Sequence, residues 1–96
     1  MSSAARVLAV FCYDISLNRA RTRVAALLEA DAMRVQESVF EGWMSRARAE
    51  ALAARAARLL GPDDTLRLYL ISQNAALKTR VYGLAPVVEA HDFFLL

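Results

Sequence analysis

An α+β fold with one antiparallel sheet is predicted from three observations. Val7 to Tyr13 is an almost unbroken apolar run, as expected of a strand covered on both faces or central in its sheet. Two arginine-studded stretches carry apolar residues at i, i+4, i+7 and i+8, which is one stripe of a helix: Ala20, Val24, Leu27 and Leu28, then Leu52, Ala56, Leu59 and Leu60. Finally, the pieces follow one another as strand, helix, strand, strand, helix, strand. That order is the split β-α-β pattern of ferredoxin-like sandwiches, in which two helices cover one sheet face. The other face is open in a single copy, and apolar strands there call for a second copy or another cover.

The elements run as follows. Strand one spans Arg6 to Tyr13, and Asp14 ends its apolar run. Helix one spans about Asn18 to Ala30, with Asn18 as its N-cap. Strand two spans about Met33 to Phe40, with Phe40 on the polar side of the alternation, which predicts a bulge or a face that meets a partner. Glu41-Gly42 reads as a break, and Trp43-Met44 as the start of strand three. Ser45 caps helix two, which runs to about Leu60, and Gly61-Pro62-Asp63-Asp64 makes a turn. Thr65 to Ser72 is a strand with Leu66, Leu68 and Leu70 on one face. Gln73 to Lys78 reads as a loop or single helical turn, Thr79 to Tyr82 as a short strand, and Gly83 to Pro86 as a bend.

The 96 residues fit one domain, with a core over about 6–83 and a tail over about 84–96. A composition 57% hydrophobic and 23% charged, with 3 Gly and 2 Pro, is globular and excludes a disordered chain. The apolar run before Asp14 is too short for a membrane span or signal peptide. Cys12 is the single cysteine, so no disulfide forms within the chain, and a buried inert thiol in a reducing, cytoplasmic setting is expected. Net charge is +2, with a pI near 9.1. Lys78 is the only lysine, and every other cation is arginine, whose fork suits phosphate oxygens; a GC-rich coding bias explains the same preference equally well.

Most catalytic constellations are missing. There is no Cys/His zinc spacing, no glycine-rich phosphate loop and no His–Glu pair. A Ser/His/Asp triad would have to use His91, which reads as a solvated tail residue. Asp14 is the chemically informative residue. An acid at the carboxyl end of a core strand is well placed to hold a cation or polarise water, or else to cap the turn into helix one; caps are the commoner case. One carboxylate suffices for Mg²⁺, which keeps most of its waters, and a twofold dimer would add a second. Arg19, Arg21 and Arg23 open helix one against its macrodipole, which invites a compensating contact such as phosphate, or leaves them as a solvated face. Arg34 and Gln36 either extend a basic groove or line a sheet edge. Phe40 either stacks on a base or belongs to core or interface. Apolar Phe93, Phe94, Leu95 and Leu96 at the tail imply docking, on this copy or on another chain.

Tyr13-Asp14-Ile15-Ser16, the following Arg19-x-Arg21-x-Arg23-Val24 with Leu27-Leu28, the run Arg34-Val35-Gln36-Glu37-Ser38-Val39-Phe40-Glu41-Gly42 and the strand Leu66 to Ile71 together resemble the small CRISPR-associated Cas-two proteins. The resemblance covers roughly residues 6–83. It implies a ferredoxin-like homodimer in which Asp14 of each subunit faces the dimer axis and binds Mg²⁺, with Mn²⁺ as a substitute. It implies a metal-dependent endonuclease or endoribonuclease acting on RNA or DNA, and a partner of the Cas-one integrase in spacer acquisition that serves there as a scaffold for duplex DNA. Tyr13, Asp14, Arg21, Arg23, Arg34 and Phe40 fall on the family's functional positions. A scaffold without catalysis, and a toxin-like ribonuclease acting without the integrase, are the alternatives. Asp31-Ala32 departs from a glycine turn common in the family. The tail beyond Gly83 matches no motif; such tails often form an extra strand that crosses the dimer or meets Cas-one, and Phe93 to Leu96 have suitable composition.

Overall fold

The computed structural model describes residues 5–83. Its elements are β1 (Arg6–Asp14), α1 (Asn18–Leu28), β2 (Met33–Gln36), β3 (Val39–Ser45), α2 (Arg46–Ala57), β4 (Thr65–Ile71) and a single turn, α3 (Gln73–Ala76). The sheet runs β2-β3-β1-β4, with every neighbouring pair antiparallel. This is the ferredoxin-like order expected from the sequence. The apolar run of β1 fits its central place between β3 and β4.

Alternation along β1 divides the protein into two faces. Ala9, Phe11 and Tyr13 join Phe40 and Met44 from β3, and meet Val24, Ala25 and Leu28 of α1 and Ala49, Leu52 and Ala56 of α2 in one core cluster. Phe11, Phe40, Leu28, Leu52 and Val24 are the largest side chains fully enclosed there. Each contributes about 1.5–3 kcal/mol of burial. Leu66, Leu68 and Leu70 pack against the same cluster from β4. Arg6, Leu8, Val10, Cys12 and Asp14 alternate with these core residues and so stand on the other face of the sheet.

Several boundaries differ from the sequence reading, and α1 and α2 end at Leu28 and Ala57, short of the expected Ala30 and Leu60. The hairpin turns at Glu37-Ser38, so Val39 to Gly42 belong to β3 and no break occurs at Glu41-Gly42. Phe40 looked out of phase because the chain reverses before it; the register irregularity lies upstream, between Arg34 and Gln36. Gly42 is a strand residue with a packing reason: a Cβ there would lie 2.6 Å from the Asp31 carbonyl oxygen. Asn18 is the first residue of α1 rather than its cap. Leu17 holds the N-cap position, where its apolar side chain makes no cap bond, and Asn18 Oδ1 instead accepts from Arg21. Ser45 does cap α2, accepting from the Arg48 amide at 3.1 Å, a contribution of about 1 kcal/mol. Thr79 to Tyr82 form no strand with the described residues. The chain leaves α1 without a glycine: the amides of Asp31 and Ala32 both donate to the Leu28 carbonyl, at 3.1 and 2.9 Å, and no non-glycine residue among those described takes positive φ. The extra C-terminal strand, His91 and Phe93 to Leu96 lie outside the described residues.

Gly42→Ala forces a methyl group against backbone, not against a side chain that can swing away. It lowers stability by about 1–3 kcal/mol, read as an earlier urea midpoint with unchanged slope.

Candidate functional site

Asp14 is the last residue of β1, paired across the sheet with Thr65 of β4. It is exposed. It caps nothing: α1 has no side-chain cap bond, and the Asp14 carboxylate takes no hydrogen bond or ion pair among the described residues. Its oxygens are therefore uncommitted, on the face away from α1 and α2. Asp64, next to Thr65, differs in this respect, because both its oxygens accept from backbone amides. No group of three or more His, Cys, Asp or Glu side chains assembles a metal cage among the described residues. A single free carboxylate fits a hydrated hard cation such as Mg²⁺, which needs one or two carboxylates and keeps its waters.

The other expected residues gather elsewhere. Arg34 pairs with Phe40 across the β2–β3 ladder, and its guanidinium carbon lies 5.1 Å above the Phe40 ring. On the same side, the Tyr13 ring stacks with Phe40 at 6.3 Å between centroids and 24° between planes. Phe40 is 0% exposed, so the base-stacking surface considered for it is covered by its own neighbours. Tyr13 is likewise buried. The three form an aromatic-cation stack at the edge of the helix side, worth about 0.5–1 kcal/mol from the cation at an exposed position.

Arg21 is taken up within the chain. Its Nη1 donates to the carbonyls of Ile15 at 2.9 Å and Ser16 at 3.0 Å, and its Nη2 donates to Asn18 Oδ1 at 3.0 Å. The compensating contact that a cation at a helix N-terminus calls for is thus supplied by loop carbonyls. Arg19 and Arg23 are exposed, one helical turn apart, with no hydrogen bond or ion pair among the described residues.

The sheet face that carries Asp14 is the open face expected from the sequence, and its cross-strand neighbours are set by the strand pairing. Strand pairing puts Leu8 between Trp43 and Ile71, and Val10 between Glu41 and Tyr69. Met33 continues the row beside Glu41. Leu8 and Val10 are buried although they belong to no helix-side cluster, whereas Met33 and Tyr69 are 48% and 46% exposed. Arg67 Nη1 donates to the Tyr69 hydroxyl at 3.1 Å. Burial pushes the Glu41 carboxyl above its usual range. Its cross-strand neighbours Val10 and Met33 offer no charge. Strand alternation in the sequence anticipates an open face, but it says nothing about which strand residues are neighbours, so the pairings on this surface had no one-dimensional signal.

Residues 7–79 match the family described as CRISPR associated protein Cas2. The chain belongs to that family. It is 38% identical over 81 residues to the CRISPR-associated endoribonuclease Cas2 of Mycobacterium tuberculosis, covering 84% of this chain and 70% of that protein. It is 37% identical over 85 residues to the CRISPR-associated endonuclease Cas2 2 of Thermus thermophilus, covering 88% and 90%. Among solved structures, a hypothetical protein TT1823 from Thermus thermophilus superposes with a TM-score of 0.76 at 35% identity, over 88% of this chain and 100% of that one. Streptococcus pyogenes Cas2 at pH 6.5, at 24% identity and a TM-score of 0.68 over 79% of this chain and 99% of that one, shares the fold. No helix among the described residues is long and apolar enough to cross a membrane.

Glu41 gives this Cas2-family sheet face a pH signature. Because its carboxyl is raised from the ordinary 4.5, the stability contributed by the protonated form is present below that value and is lost as pH rises through the raised one. Glu41→Gln should therefore melt higher than wild type at about pH 8, with the gap closing near about pH 4; parallel melting curves across that range are the check.

Proposed function

We propose that the chain works as a twofold dimer that binds nucleic acid, and that Asp14 from each copy holds a Mg²⁺ ion, replaceable by Mn²⁺, for phosphodiester hydrolysis. The observation that carries this reading is the Asp14 carboxylate itself: exposed, uncommitted, at the end of the central strand, on the sheet face that α1 and α2 leave uncovered. Exposed Met33 and Tyr69 on the same face favour a second copy as its cover, and pairing there supplies the second carboxylate. The relatives named endoribonuclease and endonuclease support the reaction class.

A divalent cation supplies charge neutralisation at the scissile phosphate and activation of the attacking water. The chain's own part is to hold that cation through Asp14 and to fix the loop after β1. Arg21 serves the loop directly through its carbonyl contacts, and Arg34, Phe40 and Tyr13 brace the neighbouring strands from the helix side. In full-length protein, Asp14→Asn lowers Mg²⁺-dependent cleavage of RNA and DNA by about 100-fold or more, the scale expected for losing a ligand where even outer-shell partners are worth about 10–100-fold. Undiminished cleavage overturns the catalytic reading.

A second reading rests on Arg19 and Arg23, which are exposed and free of contacts among the described residues. They suit the phosphates of duplex DNA in a complex with the Cas-one integrase, where the dimer is a scaffold and Phe93 to Leu96 are the docking segment. The two roles are compatible and share a cytoplasmic setting. Changing Arg19 and Arg23 together to Ala weakens duplex binding across sequences and flattens the log-salt slope of the dimer by about 4, close to one for each arginine lost from the two copies. Asp14→Asn leaves that slope unchanged. Filter or fluorescence titrations over a range of salt separate the outcomes.

A further inference from the structure

We propose that Asp64 is a positioning residue for Asp14: its carboxylate clamps the loop that begins where Asp14 ends. The inference rests on the reading of Asp14 as the cation-holding residue. Beyond Asp14 the chain leaves the sheet, and three backbone groups in the next two residues are each held by a charged side chain. The carbonyls of Ile15 and Ser16 accept from Arg21. The Ser16 amide donates to Asp64 Oδ1 at 3.1 Å, across 48 residues of sequence. Ile15 is 3% exposed, so its side chain pins the same point into the core.

Asp64 is itself fixed. Its Oδ2 accepts from the Gly61 amide at 2.7 Å, and its own amide donates to the Gly61 carbonyl at 3.2 Å. With both oxygens engaged by amides it is a strut between the α2–β4 turn and the β1–α1 loop, not a further cation ligand. Thr65 follows immediately and is the cross-strand partner of Asp14. The residue before Thr65 and the second residue after Asp14 are thus joined by one hydrogen bond, which closes the end of the β1–β4 ladder. A site with one carboxylate per copy has no second ligand to absorb error. Displacements of about 1 Å matter at such sites, and supporting contacts set the geometry.

The test uses the full chain with Mn²⁺ as the probe, titrated by electron paramagnetic resonance well below the melting temperature. Wild type and Asp14→Asn bracket the response. Asp64→Ala is expected to weaken Mn²⁺ binding about 10-fold or more, as loss of outer-shell support does. Asp64→Asn keeps one carbonyl oxygen for an amide and falls between the two. It carries the test should the alanine variant fail to fold. Hydrogen exchange on metal-free protein reports the clamp by itself: the Ser16 and Gly61 amides both exchange faster in Asp64→Ala, and at least one of them does in Asp64→Asn. Faster exchange with Mn²⁺ affinity unchanged, while Asp14→Asn abolishes binding, overturns the positioning role and leaves Asp14 standing. Mn²⁺ binding unaffected by Asp14→Asn instead removes the reading on which the inference rests. Unchanged exchange at both amides overturns the clamp.

Discussion

The pleat of β1 governs this molecule. Because successive side chains on a strand point to opposite faces, nine residues in the middle of the sheet serve two surfaces at once. Phe11 and Tyr13 are committed to the helix-side core, so Cys12 and Asp14 must stand on the other side. A shift of one residue in the pairing of β1 would bury the carboxylate among Val24, Leu28 and Leu52 and expose two aromatic rings. The core thus fixes the phase of the strand, and the phase delivers Asp14 to the face that the helices leave uncovered. The hydrophobic effect sets the address of a charged group that it does not itself stabilise.

Arginine performs two distinct jobs in this chain. Arg21 faces inward to loop carbonyls, Arg34 lies over Phe40, and Arg48 pairs with Asp31. Each uses the planar fork or the flat face of the guanidinium, geometry that lysine does not offer. Arg19 and Arg23 make no such contact among the described residues and remain available to a polyanion. The near-exclusive use of arginine therefore does not translate into one large phosphate-binding patch. Part of it is architecture, and only contacts in three dimensions separate the two groups.

The helices, β1 and β4 were legible in the sequence because each carries a local signal: the i, i+4, i+7, i+8 stripes, the unbroken apolar run of β1, the Ser45 cap, the Gly61 to Asp64 turn and the alternation of Leu66, Leu68 and Leu70. The β2–β3 hairpin was misread because Glu37-Ser38 lacks the glycine or asparagine that marks tight turns, whereas Gly42 looks like punctuation and is in fact a strand residue squeezed by the Asp31 carbonyl. Asp14 stood out by interrupting an apolar run. Asp64 did not. In one dimension it is a turn residue beside Gly61 and Pro62, and its bond to Ser16 depends on two loops that meet only once β1 and β4 pair. Glu41 was invisible for a related reason: its neighbours Val10 and Met33 come from two other strands.

The single Asp14 carboxylate makes one copy an incomplete unit for the chemistry proposed. Tyr13, Phe40 and Arg34 gather on the helix side, Arg21 is consumed by the loop, and Asp14 stands apart from any acidic cluster among the described residues. A single exposed carboxylate holds a hydrated cation weakly, since the ion gives up little of its water for one ligand. Two carboxylates brought together by a twofold axis are different: they repel each other until a cation sits between them, so pairing and cation binding each favour the other. Exposed Met33 and Tyr69 supply apolar surface for the attraction that such a meeting of like charges requires. Cation occupancy would then be read out as subunit association, and the strand phase set by the core in each copy would determine whether the two acids meet at all.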